Sequence, residues 1–459
     1  MVSERKSMDY RNKLILAPMV RVGTLPFRLL SSRYGADIVY TEELIDWKLL
    51  KTTRKINDIL GTVDFVDETD GTIVFRTCAE ERQKVVLQMG TASAERALQV
   101  GKLVENDVAA IDINMGCPKE FSVKGGMGIA LLNNAENAKK ILKTLVDGLT
   151  IPVTCKIRIF PDIERTISLV KEFEAIGISA IAVHGRTRQE RPQHKVHADM
   201  IRKVAENLDI PVIANGGSNQ IKTYDDIFKF KENSGTSSVM VARAAQWNPS
   251  IFQNALMPLD DVIKELLKLS IEFDNSPSNT KYCVQMMLRE LQETPRGKKF
   301  LECQTLEEIC DIWELGRYCR EKQLEYQERG SASRRNVIPG KLLQKQNEDE
   351  PAAKKIKFDD DVIERNVAFF RTHYEDVRDL PKSVLHAHAV RNFKPIPVYR
   401  TQQQDRLFRT VVEFGKKKYS SLYWEKNKRF AEQGAALVCI LNLGLIDEDV
   451  LIKKGSILQ

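Results

Sequence analysis

The sequence has few of the features that mark a metalloprotein, a disulfide-bonded secreted protein or a membrane protein. Its eight cysteines include no Cys-x-x-Cys pair, and the 459 residues contain only six histidines. His194 and His197 lie close together, but the proline and basic residues around them indicate a loop rather than a zinc site. No apolar run is long enough to span a membrane, and residues 1–10 lack the apolar core of a signal peptide. We therefore expect reduced thiols, no bound metal, no membrane partner and a cytoplasmic location.

Acidic residues are scarce in one part of the chain. Residues 380–445 contain twelve Lys or Arg against four Asp or Glu, a net charge of +8. The whole chain carries +7, so the remainder carries −1. A basic segment joined to a nearly neutral body is typical of a module that binds a polyanion such as RNA.

Short apolar runs alternate with amphipathic segments between residues 12 and 243. Eight runs with strand character, with helical segments between them, predict a parallel (β/α)8 TIM barrel. The stretch from Thr62 to Arg76 is predicted to form an inserted hairpin that leaves the barrel core intact. The predicted strands begin at Leu14, Ala36, Val85, Val108, Val153, Ala180, Pro211 and Ser238.

The pattern changes after the barrel, which we place at residues 1–255. Residues 256–329 are rich in helix formers at helical spacing and predict an all-α domain whose last helix runs without a break from residue 306 to residue 327. Residues 330–358 are polar and low in aromatics, which favours a flexible linker. Residues 359–459 predict a compact α-β-β-β-α module with an N-terminal extension. The predicted fold class is therefore α/β, a TIM barrel followed by two smaller domains.

Chemically useful residues follow the predicted strands. Parallel barrels carry their sites at the carboxyl ends of the strands, so these residues are predicted to meet at one rim. The ends of the seventh and eighth strands combine glycine, small residues and a cation, which favours a phosphate site. The motifs are N-M-G-C-P at 114–118, C-K-I-R at 155–158, H-G-R-T at 184–187, N-G-G at 215–217 and A-R-A at 242–244.

Cys117 lies between Gly116 and Pro118 in the loop after the fourth predicted strand. Glycine makes the backbone flexible before the cysteine, and proline fixes φ after it. This arrangement favours a thiol that is accessible in the loop over one that is packed in the core. A small buried hydrophobe is the alternative interpretation, because free cysteines are usually buried. Glycines at 125, 126 and 128 favour a backbone that approaches a ligand closely, and they predict a mobile loop that serves as a lid.

The ordered set of motifs resembles the tRNA-dihydrouridine synthase family. N-M-G-C-P followed by K-G-G-M-G carries the resemblance, together with L-A-P-M, L-Q-M-G, C-K-I-R, V-H-G-R and I-A-N-G-G. It covers residues 12–330, and the C-terminal module resembles a double-stranded RNA-binding domain. The combination is similar to the eukaryotic type that acts on uridine 20 of tRNA. The resemblance implies an FMN-containing barrel that uses NADPH to reduce a D-loop uridine of its partner, tRNA, to 5,6-dihydrouridine. We also expect a monomer.

The resemblance implies roles for individual residues. Cys117 would give a proton to C5 of the uracil ring, while hydride from reduced FMN reaches C6. Lys426, Lys428 and Arg429 lie at the start of the second helix of the C-terminal module, where the helix dipole assists phosphate contact. The implied uridine contacts are Asn114, Arg158 and Glu43, and the implied FMN contacts are Pro18, Met19, Gln88, Lys156, His184, Asn215, Gly216, Gly217, Ala242 and Arg243.

The chemistry is consistent with these residue types. A thiol with an ordinary pKa of about 8.5 is mostly protonated at neutral pH and is able to protonate C5. Lys156 is a cation suited to the negative charge of reduced FMN. A solvated lysine at a strand end and a core histidine at His184 are the alternative interpretations. Two regions depart from the family pattern: A-R-A stands where G-R-G is common, and Ala387 and Glu432 stand where the RNA-binding module commonly has an acidic and a basic residue.

Two alternative functions are an enzyme of free pyrimidines and a non-catalytic RNA-binding regulator. An FMN barrel that acts on a free pyrimidine has no need of the basic C-terminal segment. A non-catalytic regulator that binds double-stranded RNA has no need of the combination of Cys117, Lys156 and His184.

Overall fold

The computed structural model describes residues 8–329, 337–339, 361–374, 376–404, 407–425, 427–453 and 456–457. The chain divides into two compact units, Met1–Leu306 and Glu307–Gln459. This division falls inside the segment predicted as one helical domain, and the predicted boundaries at residues 255, 329 and 358 stay predictions. Within the described ranges, no helix has the length and apolar composition needed to cross a membrane.

Eight parallel strands close into a barrel in the first unit, which confirms the predicted TIM fold. The first strand pairs with the eighth and the second, and the second pairs with the third at Val39 and Val85. Most strand residues are buried, as expected for a parallel sheet covered by helices. The strands are Leu14–Leu16, Ile38–Tyr40, Val85–Gly90, Ala110–Met115, Val153–Arg158, Ala180–His184, Val212–Asn215 and Ser238–Val241.

The helices that cover the barrel begin and end at local sequence signals. Asp162 caps one helix by accepting the N–H of Glu164, and Thr223 caps another by accepting the N–H of Asp226. Gly177 ends a helix with a φ of 98°, a conformation that favours glycine. The covering helices are Leu25–Arg33, Ala94–Val104, Ala135–Gly148, Ile163–Ile176, Ala198–Ala205 and Tyr224–Asn233.

The connection between the second and third barrel strands is larger than predicted. The sequence predicts a hairpin from Thr62 to Arg76, and the structure adds a third antiparallel strand before it. That strand, T-T-R-K-I-N, is exposed at four of its six positions, so no apolar alternation reveals it. The segments of this connection are Leu44–Ile45, Asp46–Leu49, Thr52–Asn57, Thr62–Asp67 and Ile73–Cys78.

The chain after the barrel is helical, as predicted. Three helices lie in the first unit: Leu259–Glu272, Pro277–Leu288 and Pro295–Glu302. The prediction of one helix from residue 306 to residue 327 is wrong, because the segment breaks into Leu306–Asp311 and Gly316–Glu328. Glu314 turns the chain with a φ of 62°, and a side chain at position 316 would overlap the carboxylate of Asp311.

The second unit contains the predicted α-β-β-β-α module, whose three strands form an antiparallel sheet. Its second helix packs on the sheet through Ala435 and Cys439, which contact a core that includes Leu385, Val412 and Tyr419. The elements are helix Pro381–Arg391, strands Val398–Gln404, Leu407–Phe414 and Lys417–Ser421, and helix Lys428–Asn442.

The N-terminal extension packs on this module, as predicted. Its strand Val362–Arg365 runs parallel to Lys417–Ser421 and widens the sheet. The predicted linker at 330–358 lies outside the described residues except for Val337–Pro339, which pairs with Tyr423–Glu425.

Candidate active site

Predicted site residues on neighbouring strands meet at the carboxyl end of the barrel. Asn114 is level with Lys156 in the paired fourth and fifth strands. Arg158 is level with His184, and His184 is level with Asn215 in the seventh strand. The closed barrel therefore places these side chains around one mouth. Among the residues that the structure describes, no group of three or more His, Cys, Asp or Glu is arranged to hold a metal ion.

A chain of hydrogen bonds connects the barrel interior to the loop of Cys117. Thr154 Oγ1 and Gln88 Nε2 donate to the two carboxylate oxygens of Asp112 at 2.7 and 2.8 Å. This contact orients the Gln88 amide, so that its Oε1 accepts from Asn114 Nδ2 at 3.1 Å. Asn114 Oδ1 in turn accepts the backbone N–H of Cys117 at 3.0 Å. Gln88 and Asn114 thus support the cysteine loop from below.

Asp112 is buried beneath the mouth, and the half-buried Lys156 is the opposite charge that acts on it. Burial raises the pKa of Asp112 to about 6, although hydrogen bonds and the charge of Lys156 oppose the shift. Burial also lowers the pKa of Lys156 to about 8, and Arg158 adds to this shift. No hydrogen bond joins the Lys156 ammonium to another described residue. It is therefore a half-buried cation with donors left for a ligand.

The Cys117 thiol is half-buried and has an acidic neighbour. Burial raises the pKa of the thiol, and the charge of Glu43 raises it further. Burial also raises the pKa of Glu43, whose buried Oε1 has no hydrogen-bond partner among the described residues. A side chain at Gly128 would lie 2.5 Å from the Cys117 carbonyl oxygen and 2.6 Å from the Ser122 hydroxyl, so glycine lets the loop close around the cysteine. At neutral pH Cys117 is consequently a thiol, the form that gives a proton.

The segment after Cys117 is more regular than the sequence indicates. It contains the short helix Glu120–Lys124, and a further helical turn, Ile129–Leu132, begins directly after Gly128. Gly126 and Gly128 have φ values of 72° and 58°, which side chains disfavour. These glycines therefore shape a tight turn, and the predicted lid movement stays a prediction.

Positive charge is concentrated around His184. Burial is the main cause that lowers the pKa of His184 well below its usual value, and four cations lower it further. Arg186 Nη1 donates to His184 Nε2 at 3.1 Å, so the imidazole is neutral and carries its proton on Nδ1. Such a cluster favours an anionic ligand that carries a phosphate. The four cations are Lys156, Arg158, Arg186 and Arg243.

Arg186 is a site residue that the sequence interpretation misses. It is only 2% exposed, and its Nε donates to the His194 carbonyl oxygen at 2.9 Å. Its Nη1 also donates to the Gly216 carbonyl oxygen at 2.9 Å, so it joins the loops after the sixth and seventh strands. The sequence does contain a signal that could have identified Arg186, because it lies two residues after His184, the histidine at the strand end in the motif H-G-R-T. Asp112 is missed as well, although a carboxylate inside an apolar strand is itself a signal.

Small-residue turns follow the seventh and eighth strands. Asn215 Nδ2 donates to the backbone of the eighth strand at 2.8 Å and links the two strand ends. Gly216 has a φ of 112°, and a side chain there would lie 2.7 Å from the His184 ring. Ala242 has a φ of −106°, so the backbone needs no glycine where A-R-A departs from the family pattern. The predicted phosphate contacts Asn215, Gly216, Gly217, Ala242 and Arg243 therefore lie on adjacent strand ends.

Pro18 and Met19 lie in the turn after the first strand and are half-buried. The Met19 carbonyl oxygen accepts the N–H groups of Val22 and Gly23 at 3.1 and 2.9 Å, which folds the turn back on itself. This places both residues at the same barrel rim. Their predicted position under a flavin stays a prediction.

Lys428 and Arg429 are exposed in the first turn of the second helix of the C-terminal module. Asn427 caps this helix by accepting the N–H of Arg429 at 2.8 Å. Lys426 lies outside the described residues. Glu432 forms an ion pair with Lys382 of the first helix, which explains how an acidic residue is accommodated on this face.

Two family models match the chain. The family described as Dihydrouridine synthase (Dus) matches residues 15–305, and the Double-stranded RNA binding motif matches residues 381–443.

Similar proteins are known from yeasts. The tRNA-dihydrouridine(20) synthase of Schizosaccharomyces pombe is 39% identical over 293 residues, which cover 61% of this chain and 60% of the relative. The tRNA-dihydrouridine(20) synthase of Saccharomyces cerevisiae is 34% identical over 321 residues, which cover 66% of this chain and 83% of the relative. A solved dsRBD domain of a tRNA-dihydrouridine(20) synthase is 40% identical and covers 18% of this chain and 89% of that chain, with a TM-score of 0.17.

Proposed function

Because the chain belongs to the dihydrouridine synthase family, we propose that it is a flavin-dependent oxidoreductase that reduces a uridine of tRNA to 5,6-dihydrouridine. The proposed target is uridine 20 in the D-loop, since tRNA-dihydrouridine(20) synthases of two yeasts are 39% and 34% identical to this chain. FMN is the proposed cofactor, and NADPH is the proposed reductant.

The position of Cys117 is the observation that carries this proposal. Its thiol stands at the mouth of a barrel whose strand ends hold the half-buried Lys156 and the cations around His184. A protonated thiol beside a cationic site suits a reaction that adds a hydride and then a proton to a double bond.

The residues at the mouth fit a bound FMN. Arg186 and Arg243 supply positive charge around His184, and Arg186 binds the carbonyl oxygen of the Gly216 turn, so a phosphate at the seventh and eighth strand ends would meet this charge. Lys156 suits the electron-rich edge of a reduced flavin, because its ammonium has no hydrogen bond to another described residue. The neutral His184 offers its Nδ1–H as a donor.

The chain's own residues perform the proton transfer. FMN, when bound and reduced, would supply the hydride for C6 of the uracil ring. Cys117 then gives its proton to C5, so its S–H bond breaks as the C5–H bond forms, and the thiolate recovers a proton from solvent. The charge of Glu43 disfavours the thiolate and keeps the proton on sulfur beforehand. Arg158 donates to the carbonyl oxygens of Gly116 and Thr187, both at 2.9 Å, which fixes the loop that presents the thiol.

The visible absorption spectrum of the purified protein tests the proposal. We expect flavin bands that bleach anaerobically with NADPH and return when unmodified tRNA is added, with dihydrouridine detected in the tRNA by mass spectrometry. Bands that return equally well with free uridine would instead favour an enzyme of free pyrimidines. A colourless protein that binds duplex RNA would contradict the proposal and favour the non-catalytic regulator.

The C-terminal module is proposed to hold tRNA through its phosphates. We expect the double variant Lys428→Ala/Arg429→Ala to raise the KM for tRNA about tenfold and to lower the salt dependence of binding by about two counterions. Flavin content and kcat should stay unchanged, because both residues are exposed in the second unit. The matched control is Lys140→Ala/Lys143→Ala on an outer barrel helix, and an equal KM for both double variants would contradict this division of labour.

Monomeric state and cytoplasmic location stay predictions. The preference for NADPH over NADH is also a proposal, since the yeast relatives are named for NAD(P)+ without a distinction between the two.

A further inference from the structure

Two large aromatic side chains are exposed beside the loop that carries Cys117. Trp47 is 48% exposed and Phe121 is 51% exposed, although aromatic rings usually bury most of their area. Trp47 lies in the short helix Asp46–Leu49 after the second barrel strand. Phe121 lies in the helix Glu120–Lys124, four residues beyond Cys117. Both therefore belong to loops at the carboxyl end of the barrel.

Hydrogen bonds and close packing make these two loops neighbours. The loop after the third strand lies between them, and its Thr91 Oγ1 donates to Asp46 Oδ2, next to Trp47, at 2.8 Å. On its other side, a side chain at Gly126 would lie 3.3 Å from the Cβ of Ala92. The second, third and fourth strands are consecutive in the barrel, so the aromatic residues flank one continuous stretch of the rim.

Lysines accompany the exposed rings. Lys48 Nζ and Lys51 Nζ lie 5.9 and 5.2 Å from the centre of the Trp47 ring. Lys119 lies close to Cys117, since its charge lowers the pKa of the Cys117 thiol, whereas burial raises that pKa. Asp46 is buried and bound to Arg96, Glu120 pairs with Lys124 at 2.7 Å, and the half-buried Glu43 interacts with the charge of Lys119. The stretch therefore offers aromatic rings together with the ammonium groups of Lys48 and Lys51.

This stretch lies across the mouth from the turns of the seventh and eighth strands, because the third strand and the seventh face each other in a closed barrel of eight. The phosphate of a flavin belongs at the seventh and eighth strand ends. The side with Trp47, Phe121 and Cys117 is consequently the side by which a nucleotide chain reaches the thiol.

We propose that Trp47 and Phe121 form a stacking surface for the unpaired nucleotides on either side of the uridine that enters the barrel. The inference rests on the proposed function and names a contact for single-stranded RNA, distinct from the phosphate grip of the C-terminal module. Exposed aromatic rings interleaved with lysines are the combination that binds single strands, since every base has a face to stack and every nucleotide a phosphate. Stacking also holds the flanking bases open when the target base has left its neighbours.

Binding of a labelled, unstructured single-stranded RNA of twelve nucleotides to the full chain tests this surface. Excess unlabelled duplex RNA occupies the C-terminal module during the titration. We expect Trp47→Ala and Phe121→Ala each to raise the Kd for the single strand about tenfold, and Trp47→Phe and Phe121→Tyr to restore affinity because they keep a ring. Affinity for the duplex and the flavin content should not change.

Phe228→Ala is the matched control. Phe228 is 41% exposed on the outer helix Tyr224–Asn233, and its loss should leave single-strand binding unaffected. Equal Kd values for wild type, Trp47→Ala and Phe121→Ala, with normal dihydrouridine formation, would overturn the stacking surface and leave the proposed function intact. A wild-type protein that forms no dihydrouridine, but whose single-strand binding still depends on both rings, would overturn the function and keep the surface.

Discussion

Replacement of Cys117 with alanine is expected to abolish dihydrouridine formation while NADPH still bleaches the flavin bands. The thiol is the proposed proton donor, and loss of a general acid lowers the rate of a proton transfer by about 100-fold to 10,000-fold. The substitution should disturb the fold little, because Asn114 binds the backbone N–H of Cys117 and not its side chain. Anaerobic stopped-flow spectroscopy measures both half-reactions in one sample, first with NADPH and then with unmodified tRNA.

The control for this variant is Cys78→Ala, at a buried cysteine in the sheet inserted after the second barrel strand. It should keep both half-reactions. Re-oxidation of the reduced Cys117→Ala protein by tRNA within about threefold of the wild-type rate, with dihydrouridine as product, would show that another group protonates C5.

Replacement of Arg186 with alanine is expected to cost both stability and flavin binding. Its guanidinium donates to two carbonyl oxygens and to His184 in a site that is 2% exposed. Hydrogen bonds from a charged donor contribute about 1.5–3 kcal/mol each, so we expect the free energy of unfolding to fall by about 3 kcal/mol. We also expect at least about tenfold weaker FMN binding, because Arg186 holds the Gly216 turn at the seventh strand end. Chemical denaturation and flavin fluorescence titration measure the two effects.

Arg188→Ala is the matched control for this prediction, since Arg188 is exposed two residues further along the same loop. Arg186→Lys should recover only part of the loss, because an ammonium cannot reproduce the fixed fork of the guanidinium. A normal flavin content in Arg186→Ala would mean that the loops after the sixth and seventh strands hold their positions without this link.

The barrel was predictable because its strands are buried on both faces. Such strands read as short continuous apolar runs, and each of the eight runs became a strand at nearly the predicted place. The insertion before Thr62 was not fully predictable, because an exposed strand has no apolar pattern. The single helix predicted from residue 306 to 327 failed for another reason. Gly316 is the one poor helix former near the break, and the positive φ of Glu314 that turns the chain leaves no mark in the sequence.

The candidate site was predictable at the level of strand ends. Parallel strands place their carboxyl ends at one rim, so Cys117, Lys156, His184 and Asn215 had to meet there once the barrel was inferred. The contacts among them were not predictable. Glu43 follows the second strand and Cys117 the fourth, and nothing local indicates that this carboxylate raises the pKa of that thiol.

By itself, the sequence determined which segments form strands, which loop presents a thiol, and which end of the chain is basic. These properties follow from period, composition and the conformations of glycine and proline, all of which are local. Only the tertiary structure decided that Arg186 binds Gly216, that Asp112 supports Gln88, and that Trp47 and Phe121 flank the same stretch of rim. These contacts join residues far apart in sequence, and they exist only because strand pairing closes the barrel and fixes the register between neighbouring strands.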